Sequence, residues 1–223
     1  GADKLKEDKR WKFGMPPAGN ANYAWIQHMI WHLSPNGRMG MVLANGSLSS
    51  QNGGEGEIRK NIIEADLVEG IISLPEKLFY TTGIPVCLWF INKNKKQKGK
   101  TLFIDARKMG TMATRALREL TDGTKDPKDN DIKKLADTFR NFQEGTLEEE
   151  KGFCAIADLK EIEKQDFILT PGRYVGIEEQ EDDGEPFEEK MTRLTSELSQ
   201  MFEKSHELEN EIREKLGAIG YEI

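Results

Sequence analysis

Two adjacent aromatic residues, Phe79 and Tyr80, lie in the turn-like segment LPEKLFYTTG, which separates two apolar runs. The runs RMGMVLANG (residues 38–46) and GIPVCLWFIN (residues 83–92) are typical of buried strands, so both rings are expected on a loop at the rim of a sheet. Such rings can stack on a flat ligand, and in base-modifying enzymes that ligand is a nucleobase rotated out of its duplex. The sequence therefore indicates a site at which a flat ligand could stack. The alternative for Phe79 is a hydrophobic plug at a strand end.

A pair of histidines, His28 and His32, would share one helix face, as the zinc ligands of HExxH metalloproteases do. Position 29 is Met, so the general base of that motif is missing, and no third ligand is evident. We therefore predict no metal site and interpret both residues as ordinary core or surface histidines.

The glycine-rich stretch NGGEG at residues 52–56 precedes a helical pattern, as phosphate-binding loops do. It lacks the lysine of a P-loop and the spacing of GxGxxG, so phosphate binding is not favoured. No spacing supports a Ser-His-Asp or Cys-His arrangement. We identify no catalytic residue in this chain.

A lysine-rich turn follows the second apolar run and contains Lys93, Lys95 and Lys96, with Lys98 and Lys100 beyond them. These side chains could contact the DNA backbone, or the turn could simply be solvated. The whole chain carries a net charge of −7. Tight nucleic-acid binding by this chain alone is therefore not expected, because such proteins usually carry a basic face.

The composition of the 223-residue chain, with 37% hydrophobic and 32% charged residues, suits a soluble globular protein with a charged helical portion. No apolar run approaches the roughly 20 residues of a membrane span, and no signal peptide is recognised. We expect a cytoplasmic protein with no membrane partner. Cys87 and Cys154 are interpreted as buried free thiols in a reducing compartment.

The spacing of apolar residues predicts the main elements. Helices are expected at residues 23–33, 57–65 and 131–142. Strands are expected at residues 38–43, 68–74, 83–92 and 101–105. Because strands first alternate with helices and are then separated only by turns, the pattern indicates an α/β sheet that ends in an antiparallel hairpin, the closing half of a doubly wound sheet.

Four regions are expected along the chain: the half sheet at residues 1–121, a compact connecting region at 122–177, an acidic linker at 178–186 and a long amphipathic helix at 187–217. The helix has an apolar stripe with a spacing of four and three, typical of a helix that needs a partner helix. The alternative is a helix that folds back on its own domain. The predicted partner-binding residues are Leu194, Leu198, Met201, Leu208 and Ile212.

Four segments of the chain, taken in order, resemble one known family. They are NANYAWIQHMIWHLSPNGRMGMVLANGSL, GEIRKNIIEADLVEGIISLPEKLFYTTGIPVCLWFINKNK, TLFIDARK and GFCAIADLKEIEKQDFILTPGRYV. With the terminal helix they cover essentially the whole chain, and LFYTTGIPVC is their most specific part. The set resembles the modification (M) subunits of type I restriction-modification systems, the adenine-N6 DNA methyltransferases.

The resemblance implies the Rossmann-like sheet of class I S-adenosylmethionine-dependent methyltransferases, followed by a helical C-terminal extension. In that family a glycine-rich loop binds the cofactor, and an Asn-Pro-Pro-Phe turn holds the exocyclic amine of adenine. The amine lone pair is delocalised into the ring, so acceptors must localise it before it attacks the methyl group. Neither motif is in this sequence: Met15-Pro16-Pro17-Ala18 has the two prolines without the Asn or the aromatic residue.

The resemblance also implies roles for individual residues. Phe79 aligns with the motif whose aromatic residue stacks on the flipped adenine, and Tyr80 lies beside it. Asn20, Asn22 and Tyr23 begin the helix that flanks the cofactor pocket, where they could contact the cofactor or cap the helix. The apolar stripe of the last helix corresponds to the region that docks on the specificity (S) subunit, in a complex that also includes DNA and restriction (R) subunits.

We interpret the chain as the carboxyl-terminal part of a modification subunit whose parent methylates adenine with S-adenosylmethionine. Without the cofactor loop and the catalytic turn, we expect the chain alone to be inactive and to bind no cofactor. A half sheet leaves a strand edge unprotected, so we expect self-association. Two alternatives remain: a non-enzymatic module that assembles subunits through its terminal helix, and a self-contained enzyme of another α/β family.

Overall fold

The computed structural model describes residues 2–177 and 186–221. The chain forms two compact units, Gly1–Glu179 and Gln180–Ile223. The acidic linker expected at residues 178–186 lies, apart from Pro186, outside the described residues. No helix in the two described stretches is long and apolar enough to cross a membrane.

The first unit is built on strands that form two sheets. In chain order they are β1 (Arg38–Ala44), β2 (Val68–Ser73), β3 (Val86–Asn92), β4 (Lys100–Asp105), β5 (Thr111–Met112), β6 (Arg118–Glu119) and β7 (Cys154–Asp158). The larger sheet has the order β1-β3-β2-β4-β7, and β5 pairs with β6 in a separate hairpin. β2 and β4 are parallel, whereas the other neighbours are antiparallel.

Helices cover both faces of the larger sheet. They are α1 (Asn22–His32), α2 (Glu55–Glu64), α3 (Asp131–Glu144) and α4 (Leu159–Lys164). Successive side chains of a strand point to opposite faces. Phe103 accordingly packs in one core cluster with residues of α1, α2 and α4, whereas Leu102 and Ile104 pack in a second cluster with Phe142 of α3. The α/β fold expected from the sequence is confirmed.

The antiparallel hairpin expected from residues 83–92 and 101–105 is not formed, and β3 pairs antiparallel with β2 and β1 instead. The lysine-rich turn joins β3 to β4, which do not pair with each other because β2 lies between them. Residues 122–177 contribute β7, which pairs with β4, so this region shares one sheet and one compact unit with the part of the chain before it. The sequence pattern did not predict β7 because four of its five residues are small or polar.

Local residues set the helix boundaries of this unit. The Asn130 side chain accepts a hydrogen bond from the Lys133 backbone N–H at 2.8 Å and starts α3. Gly145 ends α3 with a φ of 76°, a conformation that glycine adopts without strain. Asp158 and Glu161 form a capping box that starts α4 directly after β7.

The second unit contains the long helix α5 (Phe187–Ala218) of 32 residues, where the sequence predicted it. Oppositely charged side chains four residues apart, such as Arg213 and Glu209 at 2.8 Å, stabilise its surface. The predicted partner-binding side chains are 43% to 65% exposed: Leu194, Leu198, Met201, Leu208 and Ile212.

Candidate functional site

Three loops of the first unit meet at one edge of the larger sheet. β1 and β2 run in the same direction because both are antiparallel to β3, and β4 is parallel to β2. The segments that follow these strands, residues 45–54, 74–85 and 106–117, therefore leave the sheet on the same side. In α/β sheets this is the side on which ligands bind. We refer to these three segments as the loop edge.

Both predicted stacking residues lie on the middle segment of the loop edge. The side chains of Phe79 and Tyr80 are 40% and 92% exposed. Phe79 forms an isolated backbone bridge with Thr82. Its ring belongs to neither core cluster, which disfavours the plug alternative, whereas the neighbouring Leu78 packs against the core. The position on the rim agrees with the sequence, and stacking on a base stays a prediction.

The loop that carries Phe79 is fixed by backbone hydrogen bonds at its base and two residues before Phe79. Arg118 donates its backbone N–H to the Lys77 carbonyl at 2.8 Å. At the base of the loop, the backbone N–H of Leu74 donates to the Val86 carbonyl at 2.8 Å. The Phe79 ring is therefore presented by an anchored loop.

Tyr23, predicted to flank a cofactor, is a core residue with no exposed surface. Its hydroxyl donates to the Ser47 carbonyl at 2.6 Å and accepts from Arg59 Nη1 at 3.4 Å. Its ring meets Trp89 edge to face, with centroids 6.2 Å apart. Burial raises the pKa of Tyr23 to about 12. The residue fastens α1 to the loop after β1 and offers no surface to a ligand.

The other two predicted cofactor residues stand at the start of α1. The Asn20 side chain accepts a hydrogen bond from the Asn22 backbone N–H at 3.0 Å. This contact lies just before α1, whose N-cap position is occupied by Ala21. Because Tyr23 is buried, the three residues do not present one common surface to S-adenosylmethionine, and a cofactor contact by Asn20 or Asn22 stays a prediction.

A buried arginine that the sequence analysis did not single out supports the first segment of the loop edge. Arg59 is fully buried and donates through Nε to the Phe167 carbonyl and through Nη1 to the Ser50 carbonyl, both at 2.7 Å. The Ser50 hydroxyl in turn donates to Glu55, which is also buried. Arg59 stands within a polar stretch of α2, so no sequence pattern distinguished it from surface arginines.

The structure corrects the prediction for Lys95. Its side chain is 2% exposed, and its Nζ lies 2.5 Å from Asp66 Oδ1. Burial lowers the pKa of Lys95, against the opposing effect of Asp66. Lys95 is therefore an internal ion-pair residue and is not available to DNA phosphates. The pattern of alternating lysines concealed this role because Asp66 is distant in the sequence.

The rest of the lysine turn lies at the edge of the sheet opposite to the loop edge that carries Phe79. β3 starts at the loop edge and ends at Asn92, so the turn is separated from the Phe79 loop by the length of the strand, about 20 Å. Lys93 donates through Nζ to the Leu33 carbonyl at 2.6 Å, at the end of α1. Lys96 is exposed. A contact of Lys96 with the DNA backbone stays a prediction.

Neither the histidine pair nor the cysteines form a reactive centre. The rings of His28 and His32 have centroids 4.4 Å apart, and His28 Nδ1 lies 2.6 Å from Arg10 Nη1. Among residues 2–177 and 186–221, no group of three potential metal ligands is found. The expectation of buried free thiols is confirmed for Cys87 and Cys154, and burial raises both pKa values.

Comparisons with known proteins are consistent with this arrangement. A model of the N-6 DNA methylase family matches residues 1–183. The chain is 56% identical over 221 residues to the methylase subunit of the type I restriction enzyme HindI from Haemophilus influenzae, covering 99% of this chain and 48% of that protein. It is 46% identical over 231 residues to the MjaIX methylase subunit from Methanocaldococcus jannaschii, covering 99% and 40%. The chain thus spans about half the length of these relatives or less.

Solved structures agree with the fold. A type I methyltransferase subunit from Streptococcus thermophilus superposes with a TM-score of 0.68 at 30% identity, over 78% of this chain and 35% of that one. The EcoKI M protein superposes with a TM-score of 0.52 at 17% identity, over 91% and 46%. The second similarity concerns the fold alone.

Proposed function

Because the chain belongs to the N-6 DNA methylase family, we propose that it is part of the modification subunit of a type I restriction-modification system. The proposed activity of the whole subunit is transfer of a methyl group from S-adenosylmethionine to N6 of adenine in DNA. In this role the first unit holds the target base at the loop edge. The observation that supports the proposal is the exposed Phe79 ring on an anchored loop at the ligand-binding side of the sheet.

The proposed contribution of Phe79 is to bind and orient the extruded adenine. An adenine rotated out of its duplex loses its stacking neighbours, and an aromatic side chain can replace one of them at about 1–3 kcal/mol per base. Tyr80 lies next to Phe79 in the sequence, is 92% exposed and can contact the edge of the same base. The methyl group is supplied by S-adenosylmethionine when it is bound to the whole subunit, and we assign no cofactor ligand to Asn20, Asn22 or Tyr23.

The test compares binding of the chain to two duplexes, one with an adenine opposite an abasic site and one that lacks this adenine. Phe79→Ala should reduce the affinity gained from the adenine by about 5- to 150-fold, which corresponds to the loss of one stacking contact. Phe79→Tyr should retain most of this gain. Ile84→Ala is the matched control, because Ile84 is 57% exposed on the same loop. An unchanged adenine-dependent gain in Phe79→Ala would refute base stacking at this position.

A second candidate function is subunit assembly through α5, as a non-enzymatic module. The observation that favours it is the exposed apolar stripe of α5, because a two-faced helix with half-exposed leucines is stabilised by a partner helix. We propose the specificity subunit as this partner. Leu198→Asp with Leu208→Asp should abolish co-purification with that subunit, whereas Glu203→Ala with Glu207→Ala, which changes exposed charges, should not. Retained binding by the Asp variant would refute docking through this stripe.

A further inference from the structure

A cavity at the edge of the sheet opposite to the loop edge combines positive charge with an aromatic wall. Its volume is about 340 Å³, at the lower end of the range of small-molecule sites. It lies where α1 and β3 end and where Leu67 leads into β2. Among the described residues its charged lining consists of cations, Arg10, Lys12 and Lys93, and its largest ring is that of Trp31. We refer to this space as the Trp31 cavity.

The walls of the Trp31 cavity are fixed by hydrogen bonds. Phe13, which lines it, donates its backbone N–H to Gln27 Oε1 at 3.0 Å, and its carbonyl accepts from Asn61 Nδ2 at 2.8 Å. Gln27 is 1% exposed and donates through Nε2 to the Gly14 carbonyl at 2.8 Å. The segment that carries Lys12 is thus tied to α1 and α2. A ligand that enters the cavity does not have to order these walls, which lowers the entropic cost of binding.

Two of the three cations supply the positive charge of the cavity. Arg10 is paired with Asp8 at 2.5 Å, which balances its charge. Lys93 donates through Nζ to the carbonyl of the residue that caps α1, at 2.6 Å. Because an ammonium has three N–H groups, Lys93 both offsets the negative end of the α1 dipole and keeps donors for an anion. Lys12 is exposed, and its charge lies at the mouth of the same cavity.

The indole ring of Trp31 is 42% exposed and is accessible to a ligand in the cavity. Lys12 Nζ lies 5.2 Å from the centroid of this ring. A cation over an exposed ring corresponds to about 2- to 5-fold in affinity, whereas a nucleobase stacked on an aromatic side chain corresponds to about 5- to 150-fold. A base can therefore displace the Lys12 ammonium from the ring, and the ammonium can then contact an anionic group carried by the same ligand.

We propose that the Trp31 cavity binds a nucleotide, with its base stacked on Trp31 and its phosphate bound by Lys12 and Lys93. The required chemistry is a flat ring that carries phosphate, either as a free nucleotide or as one unit of a single strand. An acidic peptide would satisfy the two lysines but would leave the indole without a flat partner. The inference does not rest on the proposed function, because the cavity and Phe79 lie at opposite edges of the sheet.

The test is isothermal titration calorimetry of the full chain with adenosine triphosphate and with tripolyphosphate, which lacks the base. The parent should bind adenosine triphosphate about 5- to 150-fold more tightly than tripolyphosphate. Trp31→Ala should remove this difference, and Trp31→Phe should retain most of it. Trp25→Ala is the matched control, because Trp25 is 56% exposed on the same helix and does not line the cavity.

The phosphate contact is tested by Lys12→Gln, which should lower the affinities for both probes by the same factor, about 2- to 5-fold. Lys96→Gln removes the same charge from an exposed position of the lysine turn and should leave both affinities unchanged. A single strand of about five thymidines, titrated in the Phe79→Ala background, identifies the source of the nucleotide. Trp31-dependent binding of the strand alone would assign a unit of a strand, and Trp31-dependent binding of adenosine triphosphate alone would assign a free nucleotide.

Three results would overturn the inference: unchanged affinities of Trp31→Ala for both adenosine triphosphate and the strand, an equal loss of affinity in Trp25→Ala and Trp31→Ala, or no binding of either ligand at about 1 mM. The inference and the proposed function fail independently. Loss of base stacking at Phe79 would leave the affinity for adenosine triphosphate unchanged, and loss of nucleotide binding at Trp31 would leave the adenine-dependent gain at Phe79 unchanged.

Discussion

The Lys95–Asp66 ion pair allows a sharp prediction about which lysines of the turn are structural. Lys95 is 2% exposed, whereas Asp66 is 39% exposed. Asp66 Oδ2 also accepts from the Gly99 backbone N–H at 3.0 Å. Because the lysine is buried and the carboxylate remains in contact with water, removal of the two partners should have unequal effects.

Asp66→Asn leaves a buried ammonium without its counter-charge. A hydrogen bond to a charged group contributes about 1.5–3 kcal/mol, so the free energy of unfolding should fall by about 2 kcal/mol. For a domain of this size, that loss lowers Tm by about 4–8 °C. Asn also tolerates the left-handed backbone of Asp66, whose φ is 55°, so the substitution tests charge without adding backbone strain.

Lys95→Met removes the buried charge itself and keeps most of the side-chain volume. The free energy of unfolding should stay within about 1 kcal/mol of the parent, because the exposed Asp66 is solvated by water. The double variant should resemble Lys95→Met, which gives a coupling of about 2 kcal/mol between the two positions. Urea denaturation of the four proteins measures these values. A larger loss in Lys95→Met than in Asp66→Asn would refute the assignment of Lys95 as a buried ion-pair residue.

Three further predictions concern the core, the thiols and the sheet edge. Burial raises the pKa of Tyr23 to about 12, so the stability that its neutral form provides is complete below pH 10. This stability is lost as pH rises towards 12, by up to about 3 kcal/mol. Tyr23→Phe should reduce this loss in denaturation at pH 9 to 12, and an unchanged pH profile would contradict the prediction. Cys87 and Cys154 should react with a thiol reagent at pH 8 far more slowly in the native than in the urea-unfolded chain, since burial raises both pKa values, and equal rates would count against their burial. β1 is an edge strand with Val42 half-exposed, so the chain should self-associate at micromolar concentrations in light scattering, and a monodisperse monomer would argue against an open edge.

The parts of the fold that depend on local patterns were predictable from the sequence. Alternation of helical and extended patterns indicated α1, α2 and the strands β1 to β4, and the rim position of Phe79 followed from the two strands that flank it. α5 was evident because its apolar spacing persists over 32 residues. Each of these features follows from a run of consecutive residues, either within one element or in two elements that are adjacent in the sequence.

Features that depend on distant contacts were not predictable. Lys95 looked like any solvated lysine until Asp66, 29 residues earlier, was placed beside it. Tyr23 looked like a residue at a helix start, and its hydroxyl partner Ser47 is 24 residues away. The hairpin of β5 and β6 was missed because its strands are only two residues long and give no hydrophobic period.

The most direct test of the central claim is to locate the adenine on the chain. A duplex with a photoreactive adenine analogue opposite an abasic site would be irradiated in the presence of the full chain, and the cross-linked peptide would be identified by mass spectrometry. Binding of the base at the loop edge predicts that the label is found within residues 74–85, which include Phe79 and Tyr80. A label confined to residues 93–100, at the opposite end of β3, would contradict the assignment of the loop edge as the base-binding site.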